Sequence, residues 1–466
     1  MAIAAPGLAP TYARYAHAVE RLRADYAAIP LGSPVRLAKS TSNLFRGRTP
    51  TTTPGLDVSE FSGVLSVDVD ARTADVLGMT TYEDLVDATL PYGLVPMCVP
   101  QLRTITLGGA VTGLGIESAS WRNGCPHESV LDMDVLTGDG RVVTAAPHGE
   151  HADLFHGFPN SYGSLGYALR LRIELEPVTP YVRLRHVPCG DAAQLAATIA
   201  DVTAAGAYDG QRVDYVDGTV FSRTESYLTL ATYSETTDQA PSDYTGSEIY
   251  YRSIPARRTD VLTMHDYLWR WDTDWFWCSR AFGAQRPLIR RLWPQDKLRS
   301  DVYWKLVALD RRTSFSSRLD AARRRPAREQ VVQDVEVPVT ALPEFLDFFH
   351  REVGIEPVWV CPLRTRNPQA QWPLYELDPE ITYVNVGFWS TVAVPGGTRP
   401  ADGRVNRRIE QVVTALGGRK SLYSTAFYSR EEFARLYGGE AYGALRSTYD
   451  SDGRLPDMWT KTVGRG

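Results

Sequence analysis

Two stretches of this 466-residue chain hold residue types that could do chemistry. The first, residues 100–124, reads PQLRTITLGGAVTGLGIESASWRNG and is dense in glycine (Gly108, Gly109, Gly113, Gly115, Gly124) and in hydroxyls (Thr104, Thr106, Thr112, Ser118, Ser120). Glycine lets backbone approach a ligand closely, and successive backbone N–H groups form a concave anion site. That composition suits a pyrophosphate; it also serves plain β-turns. The spacing is neither GxxxxGK[ST] nor a GxGxxG at the head of a βαβ unit. The second stretch is VQDVEVP, where two-residue alternation puts Asp334 and Glu336 on one strand face, away from Gln333 and Val335. An acid there could give or take a proton, and burial would raise its pKa. An exposed sheet face would carry the same alternation.

The elements that must position these residues follow from periodicity. Residues 1–30 read as a helix, with Tyr12, Tyr15, Ala16, Val19, Leu22 and Tyr26 at helical spacing. A short strand then enters a turn whose donors are Lys39, Ser40, Thr41, Ser42 and Asn43. Residues 63–78 suggest a hairpin about Asp70–Ala71–Arg72, and residues 81–90 a helix with a capping-box-like start at Glu83. Residues 129–144 read as two strands about Thr137–Gly138–Asp139–Gly140, and residues 169–175 as one more. These compose an α+β module over residues 1–180. Beyond it come a strand, an alanine-rich helix at 192–205, a hairpin about Asp217–Gly218 and a polar loop at 235–248. In HDYLWRWDTDWFWCSRAFG, from His265, Tyr267, Trp271 and Trp275 fall at helical spacing, which predicts a helix whose aromatic stripe is core or the wall of an apolar pocket. Strands at 331–338, 357–364 and 382–388 alternate with helices at 343–353 and 405–416. That pattern predicts an antiparallel sheet covered by helices on one side. This cap domain spans residues 181–425, and residues 426–466 return to the first domain.

Net charge is −5 with no polybasic tract, which leaves no electrostatic case for nucleic acid. The five cysteines are scattered without metal-type spacing and fit a reducing cytosol, so the expected location is cytoplasmic. The N-terminus lacks signal-peptide character, and no apolar run reaches 18 residues. His148, His151 and His156 lie close in sequence, but no acidic or cysteine partner completes a metal set, so no metal is expected.

GGAVTGLGIESASWRNG, then ESVLDMDVLTGDGRVVTA and DLFHGFPNSYGSLGYALRLRIEL, resemble the PCMH-type FAD-binding module of the vanillyl-alcohol-oxidase flavoproteins. Within that group the chain is similar to the Δ24-sterol reductase-like branch, which includes bacterial flavoproteins of methyl-branched fatty acid synthesis. The run GLGIES at Gly113–Ser118 carries the branch resemblance; VQDVEVPV, CPLR, YVNVGFW and LGGRKSLYS extend it toward the C-terminus. The resemblance implies a two-subdomain FAD-binding domain with an α/β cap folded over the flavin. It implies FAD contacts from the 39–43 turn, from Pro100, Thr104, Thr106, Leu107, Gly108 and Gly109, from Gly113, Gly115, Ile116, Ser118 and Gly124, and from Ile173. It places Asn385 and Arg364 on cap strands by the ring, Lys420 as the charge near the flavin N1/C2 edge, Tyr423 at the substrate or a proton, and Asp334 as acid or base. Where the sterol reductases show a histidine this chain has Trp121, and non-covalent FAD is expected.

The function the resemblance implies is reduction of a carbon–carbon double bond in a lipid-like substrate, a methylene fatty acyl chain or a sterol-like alkene. NAD(P)H would recharge the flavin, and a methyltransferase would be the partner in the fatty-acid case. A lipid substrate would also require peripheral access to a membrane. An alcohol or sugar oxidase on the same fold is the alternative, since fold does not fix function. A flavin-binding methyltransferase partner without turnover is a reading of another class.

Overall fold

The structure is a computed structural model that describes residues 11–39, 45–46, 55–313, 326–394 and 402–463. It is an α+β molecule with two large antiparallel sheets. The first is built from β1 (Val64–Asp68), β2 (Thr73–Leu77), β3 (Leu94–Pro96), β4 (Val130–Thr137), β5 (Val142–Ala145) and β6 (Gly166–Pro177). Its order is β1-β2-β6-β4-β5, with β3 pairing β6 beyond β2. β6 is hydrogen-bonded along both edges, so its apolar residues sit in the core: Leu171 and Ile173 have no exposed surface. Its Arg170 reaches three carboxylates of neighbouring strands, Asp75, Asp132 and Asp134, at 2.5–2.8 Å. The helix Tyr12–Ala28, capped by Thr11, buries Ala18, Leu22 and Tyr26 beside this sheet.

The second sheet has eight strands: β7 (Tyr181–Cys189), β8 (Tyr215–Ser222), β9 (Glu225–Ser234), β10 (Thr259–Thr263), β11 (Arg328–Pro338), β12 (Val358–Leu363), β13 (Tyr383–Ala393) and β14 (Arg419–Lys420). Their order is β10-β7-β9-β8-β12-β13-β11-β14. Three helices, Ala192–Ala205, Leu342–Glu352 and Arg404–Ala415, cover one face, where Val335, Val386, Phe345 and Ile409 share a core cluster. The opposite face belongs to the core that runs into the first module: Trp359 and Cys361 of β12 cluster with Leu107, Val111 and Ile116. The one-sided helical cover expected from the sequence is what forms, and it leaves the other face of the cap sheet for the site.

Two local expectations are corrected. Asp217–Gly218 is not a turn: both lie inside β8, and the hairpin closes between Ser222 and Glu225. Asp217 is there because three buried donors need its carboxylate, Arg270 (2.9 Å), Trp271 Nε1 (2.8 Å) and Trp359 Nε1 (3.2 Å). Gly218 is there because a Cβ would meet the Tyr227 carbonyl at 2.8 Å. The aromatic segment is not one helix either. The helix Met264–Trp269 stops after six residues, and the chain then turns, with Trp275 and Phe276 both at positive φ (46° and 59°). That region is disfavoured for bulky L-residues. The turn carries the aromatic rings onto the cap sheet instead of along a stripe.

Candidate active site

Register alone gathers the polar residues of the cap sheet. Asp334 pairs with Gly387, and Glu336 with Asn385, across β11 and β13; Gly387 and Asn385 in turn pair with Trp359 and Cys361 of β12. Opposite and alternate positions share a face, so Asp334, Glu336 and Asn385 all point away from the helices. Asn385 Nδ2 donates to Asp334 Oδ1 at 3.1 Å. Trp389 Nε1 donates to the Tyr423 hydroxyl at 2.9 Å, and the Asp334 carboxylate lies beside that hydroxyl. A Cβ on Gly387 would collide with the Asp334 carboxylate and meet the Trp389 ring at 2.7 Å, so only glycine lets both groups lie over it. Asp334 keeps part of its surface accessible while dense protein surrounds its carboxylate; desolvation lifts its pKa to about 6.

Glu336 has no exposed surface. It accepts from the Tyr375 hydroxyl and from Ser421 Oγ (2.9 Å), and burial raises its pKa to about 8. Lys420 differs from expectation in its placement. It pairs with Val335, which puts its Cβ on the helix-covered side of the sheet. Its ammonium donates to Ser424 Oγ (2.7 Å) and to the Ser421 carbonyl (3.2 Å). Burial lowers its pKa to about 8 against the opposing pull of the Glu410, Asp334 and Glu336 carboxyls. Glu410, on the helix Arg404–Ala415, is itself pushed up to about 8 by burial and accepts the Phe427 N–H at 3.0 Å. The structure thus groups Asp334, Asn385, Lys420 and Tyr423. Arg364 stands apart, just past the end of β12, with its N–H on the Ser120 carbonyl (3.2 Å).

Aromatic rings wall the site on the side of Asp334. Phe276 lies 4.4 Å from Trp389 and 5.5 Å from Trp359, ring centre to ring centre. Phe45 packs against Tyr423 (5.9 Å), Trp275 (5.7 Å) and Trp304 (5.0 Å). The aromatic segment beginning at His265 is therefore both core and wall.

The glycine-rich stretch faces this assembly from the first module. Thr106 caps the helix Leu107–Thr112 by accepting the Gly109 N–H (3.2 Å). The N–H groups of Leu107 and Gly108 go to the carbonyls of Thr80 and Gly78 (both 2.9 Å). The glycines here act through shape: a Cβ on Gly108 would meet the Gly78 carbonyl at 2.7 Å, and one on Gly115 would meet Pro126 at 2.8 Å and Pro100 at 3.2 Å. Gly124 has φ +71°, and a Cβ there would collide with the Glu128 carboxylate. Ile116 and Ser118 are buried, and Ser118 Oγ is 2.9 Å from the Tyr267 hydroxyl. Thr104 lies in the turn before the helix, and Ile173 lies in the middle of β6. Lys39 follows a two-residue strand, Leu37–Ala38, paired with Leu56–Asp57. Ser40, Thr41, Ser42 and Asn43 lie outside the described residues. Trp121 points into the helix-side cluster, beneath the helix Ala192–Ala205.

Sequence reasoning missed the loop Asn160–Ser161–Tyr162, which packs under Gly113. Tyr162 N donates to the Thr112 carbonyl at 2.7 Å, its ring lies 3.4 Å from a Cβ position at Gly113, and Arg46 stacks over it at 4.9 Å. Asn160 and Tyr162 both have positive φ (61° and 52°); the signal available was an Asn-Ser-Tyr-Gly run before a strand. It also missed Glu117, buried on Gln101 (3.2 Å) and near Arg270 (3.8 Å). Burial raises the Glu117 pKa.

FAD needs a channel offering many unsatisfied polar atoms. Asn160 Oδ1, Ser161 Oγ, Tyr162 Oη, Thr365 Oγ1 and Asn385 Oδ1 are buried without a protein hydrogen-bond partner. Buried polar atoms left unpaired cost about 1–3 kcal/mol each. Three of them line the Gly113 loop and one the Asp334 cluster, so the residues present fit a long polar cofactor laid between the first module and the cap.

Comparison with known proteins agrees. Residues 24–146 match the family described as an FAD binding domain. A Delta(24)-sterol reductase of Arabidopsis thaliana is 24% identical over 440 residues, covering 87% of this chain and 76% of the relative. The Delta(24)-sterol reductase of Homo sapiens is 25% identical over 419 residues, covering 85% and 75%. Cytokinin dehydrogenase 2 of Oryza sativa subsp. japonica is 32% identical over 162 residues, covering 34% of this chain and 28% of the relative. The chain is an FAD-dependent oxidoreductase with the PCMH-type two-subdomain fold and a cap domain. Within that class its likeness over most of its length is to the Delta(24)-sterol reductases.

Proposed function

We propose that this oxidoreductase reduces a carbon–carbon double bond in a bulky apolar, sterol-like substrate. The observation that carries the reading is the Trp389–Tyr423 hydrogen bond beside the Asn385–Asp334 pair, which ends a wall of aromatic rings with groups that can hold and replace a proton. Bound FAD supplies the hydride, and NAD(P)H is the donor that restores it. The substrate's apolar body lies against Phe276, Trp275 and Phe45, which exclude water. Trp389 holds the Tyr423 hydroxyl in place, and Tyr423 protonates the second alkene carbon; the proton is replaced from the neighbouring Asp334, whose pKa near 6 lets it cycle. One hydride and one proton add across the double bond, so the saturated product balances. Lys420 and Glu336, in hydrogen-bonded contact through Ser421, set the local charge.

FAD is held non-covalently in this reading, with Thr104, the Gly108–Gly109 close approach, Gly113, Gly115 and the Asn160–Tyr162 loop shaping its channel. The FAD-binding domain is residues 1–180, the cap residues 181–425, and residues 426–466 return to the FAD domain. Support for the double-bond chemistry comes from the sterol reductases named above. A methylene fatty acyl substrate and a methyltransferase partner find no support in those likenesses, nor does an alcohol or sugar oxidase over most of the chain.

The test is anaerobic. Enzyme bleached with NADPH is mixed with a sterol carrying a side-chain double bond. Return of the yellow colour, with solvent deuterium in the saturated product made in heavy water, is the expected result. Failure of every sterol alkene to reoxidise the flavin, with bleaching by an alcohol or sugar instead, would overturn it.

A further inference from the structure

We propose that the helices Pro287–Leu292 and Ser300–Thr313 form a docking face that seats the enzyme on an anionic phospholipid bilayer, from which the substrate enters. The inference rests on the apolar substrate proposed above. Seven large apolar side chains are exposed among the described residues, and four of them lie on these two helices: Leu288 (79% exposed), Leu292 (83%), Leu306 (36%) and Leu309 (58%). Leu288 and Leu292 are four apart, and Leu306 and Leu309 three apart, so each pair shares one helix face. The helices are adjacent, since Trp293 and Tyr303 pack with ring centres 6.1 Å apart.

The first helix is firmly held. Arg290 is buried, pairs with Asp274 at 2.7 Å, and donates to the carbonyls of Gly246 (2.7 Å) and Glu248 (3.0 Å). Leu288 and Leu292 are therefore presented outward by a fixed scaffold, which gains the fold nothing.

Charge selects the occupant. Residues 279–305 carry seven Lys and Arg against two Asp, in a chain whose net charge is −5. Arg290 and Arg299 turn inward, to Asp274 and Glu83. Arg286 and Arg291 are exposed beside the leucines, with no ion pair to another described residue. Lys297 and Lys305 pair with Asp296 and Asp301, so Arg286 and Arg291 are the charges left beside the exposed leucines, and that pairing of arginine with leucine matches the acyl–headgroup boundary of an anionic leaflet. The same helix that exposes Leu306 and Leu309 turns Trp304 inward, against Phe45 and Trp275 (5.0 and 6.3 Å). Phe45 in turn touches Tyr423. One helix thus links the lipid-facing surface to the aromatic wall of the site.

The test is cosedimentation of the FAD-loaded enzyme with vesicles of phosphatidylcholine alone or containing about 30% phosphatidylglycerol. Binding to the anionic vesicles, weakened by salt, is expected. R286E/R291E should lower it about thirty-fold, at about fivefold per basic side chain removed. L288S/L292S should lower it about tenfold at every salt concentration. Both variants should keep wild-type turnover of a detergent-dispersed sterol alkene. Equal binding to neutral and anionic vesicles, no binding to either, or variants that bind like wild type would each overturn the proposal. So would a leucine variant that splits an oligomer seen by sedimentation velocity, which would make this face a protein interface. An enzyme that binds vesicles yet ignores dispersed alkene would refute the reaction and leave the docking face standing.

Discussion

Asp334→Asn should make the enzyme more stable and nearly inactive. Dense protein around the carboxylate raises its pKa from 3.8 to about 6. A folded-state pKa above the unfolded value means that the ionised group costs stability. The cost is absent below the unfolded pKa, grows as the pH rises, and is complete above the folded pKa. Two units at 1.36 kcal/mol each give a cost of about 3 kcal/mol at pH 7.5. Asparagine removes it, keeps an oxygen for Asn385 Nδ2, and places an uncharged amide beside the Tyr423 hydroxyl, a loss of about 1 kcal/mol. The variant should therefore gain about 2 kcal/mol at pH 7.5 and less than about 1 kcal/mol at pH 5, where only half the ionisation cost has developed. Urea unfolding of the FAD-loaded proteins at the two pH values reads this out. Sterol-dependent reoxidation should fall about 10²–10⁴-fold, while NADPH-dependent bleaching stays within about threefold. A variant less stable than wild type at pH 7.5, or one that turns over alkene normally, would refute the assignment of Asp334 as a buried proton carrier.

Three further outcomes follow from the same geometry. Gly387→Ala should displace Asp334 or Trp389, costing about 1–3 kcal/mol in urea unfolding and at least about tenfold in turnover, because its Cβ would lie 2.7 Å from the Trp389 ring. Asp217→Asn weakens the partner of a fully buried arginine and two indoles; it should destabilise by about 3–5 kcal/mol and show first as a loss of soluble protein. Glu410→Gln keeps the acceptor for Phe427 but removes a negative charge that holds the Lys420 pKa up. The alkaline limb of kcat/KM, set by Lys420 near 8, should move to lower pH by roughly half a unit to one unit; an unmoved limb would take Lys420 out of the titration.

The parts of this molecule that could be read from the sequence are those whose signals are local. The 192–205 helix, the 130–145 hairpin and the three cap strands have clean periodicity, and Asp334 and Glu336 share a face because strand alternation leaves no choice. The errors came where tertiary demands outweighed local ones. Asp217–Gly218 carries a strong turn signal, yet the aspartate answers to Arg270, more than fifty residues away, and the glycine to a neighbouring strand. Helical spacing in the segment from His265 overlooked a backbone that turns at Trp275 and Phe276 to stack rings on β12 and β13. Lys420 stands out in LGGRKSLY as a candidate, but its side of the sheet depends on pairing with Val335, which the local sequence does not carry.

That side of the sheet bears on how a proton reaches a site closed by aromatic rings. Alkene reduction consumes one proton per turnover, and the wall of Phe276, Trp275 and Phe45 offers only an indole N–H, which does not relay one. On the helix side, a cleft of about 960 Å³ opens beside Glu410, Arg407 and Glu432. Glu410 forms part of its lining and lies in the field of Lys420. Lys420 shares the Ser421 residue with Glu336, accepting nothing but donating to its carbonyl, while the Ser421 hydroxyl donates to Glu336. The Ser421 N–H goes to the Asp334 carbonyl at 3.0 Å. Glu410, Lys420 and Glu336, each with a pKa near 8, therefore stand between the cleft and the edge of the sheet beside Asp334. Glu410 and Lys420 share no hydrogen bond, and the carbonyl and N–H of Ser421 pass no proton, so a proton taking this edge would need bridging water between the groups. With that water in place, protons would use the edge of the sheet and substrate its open face.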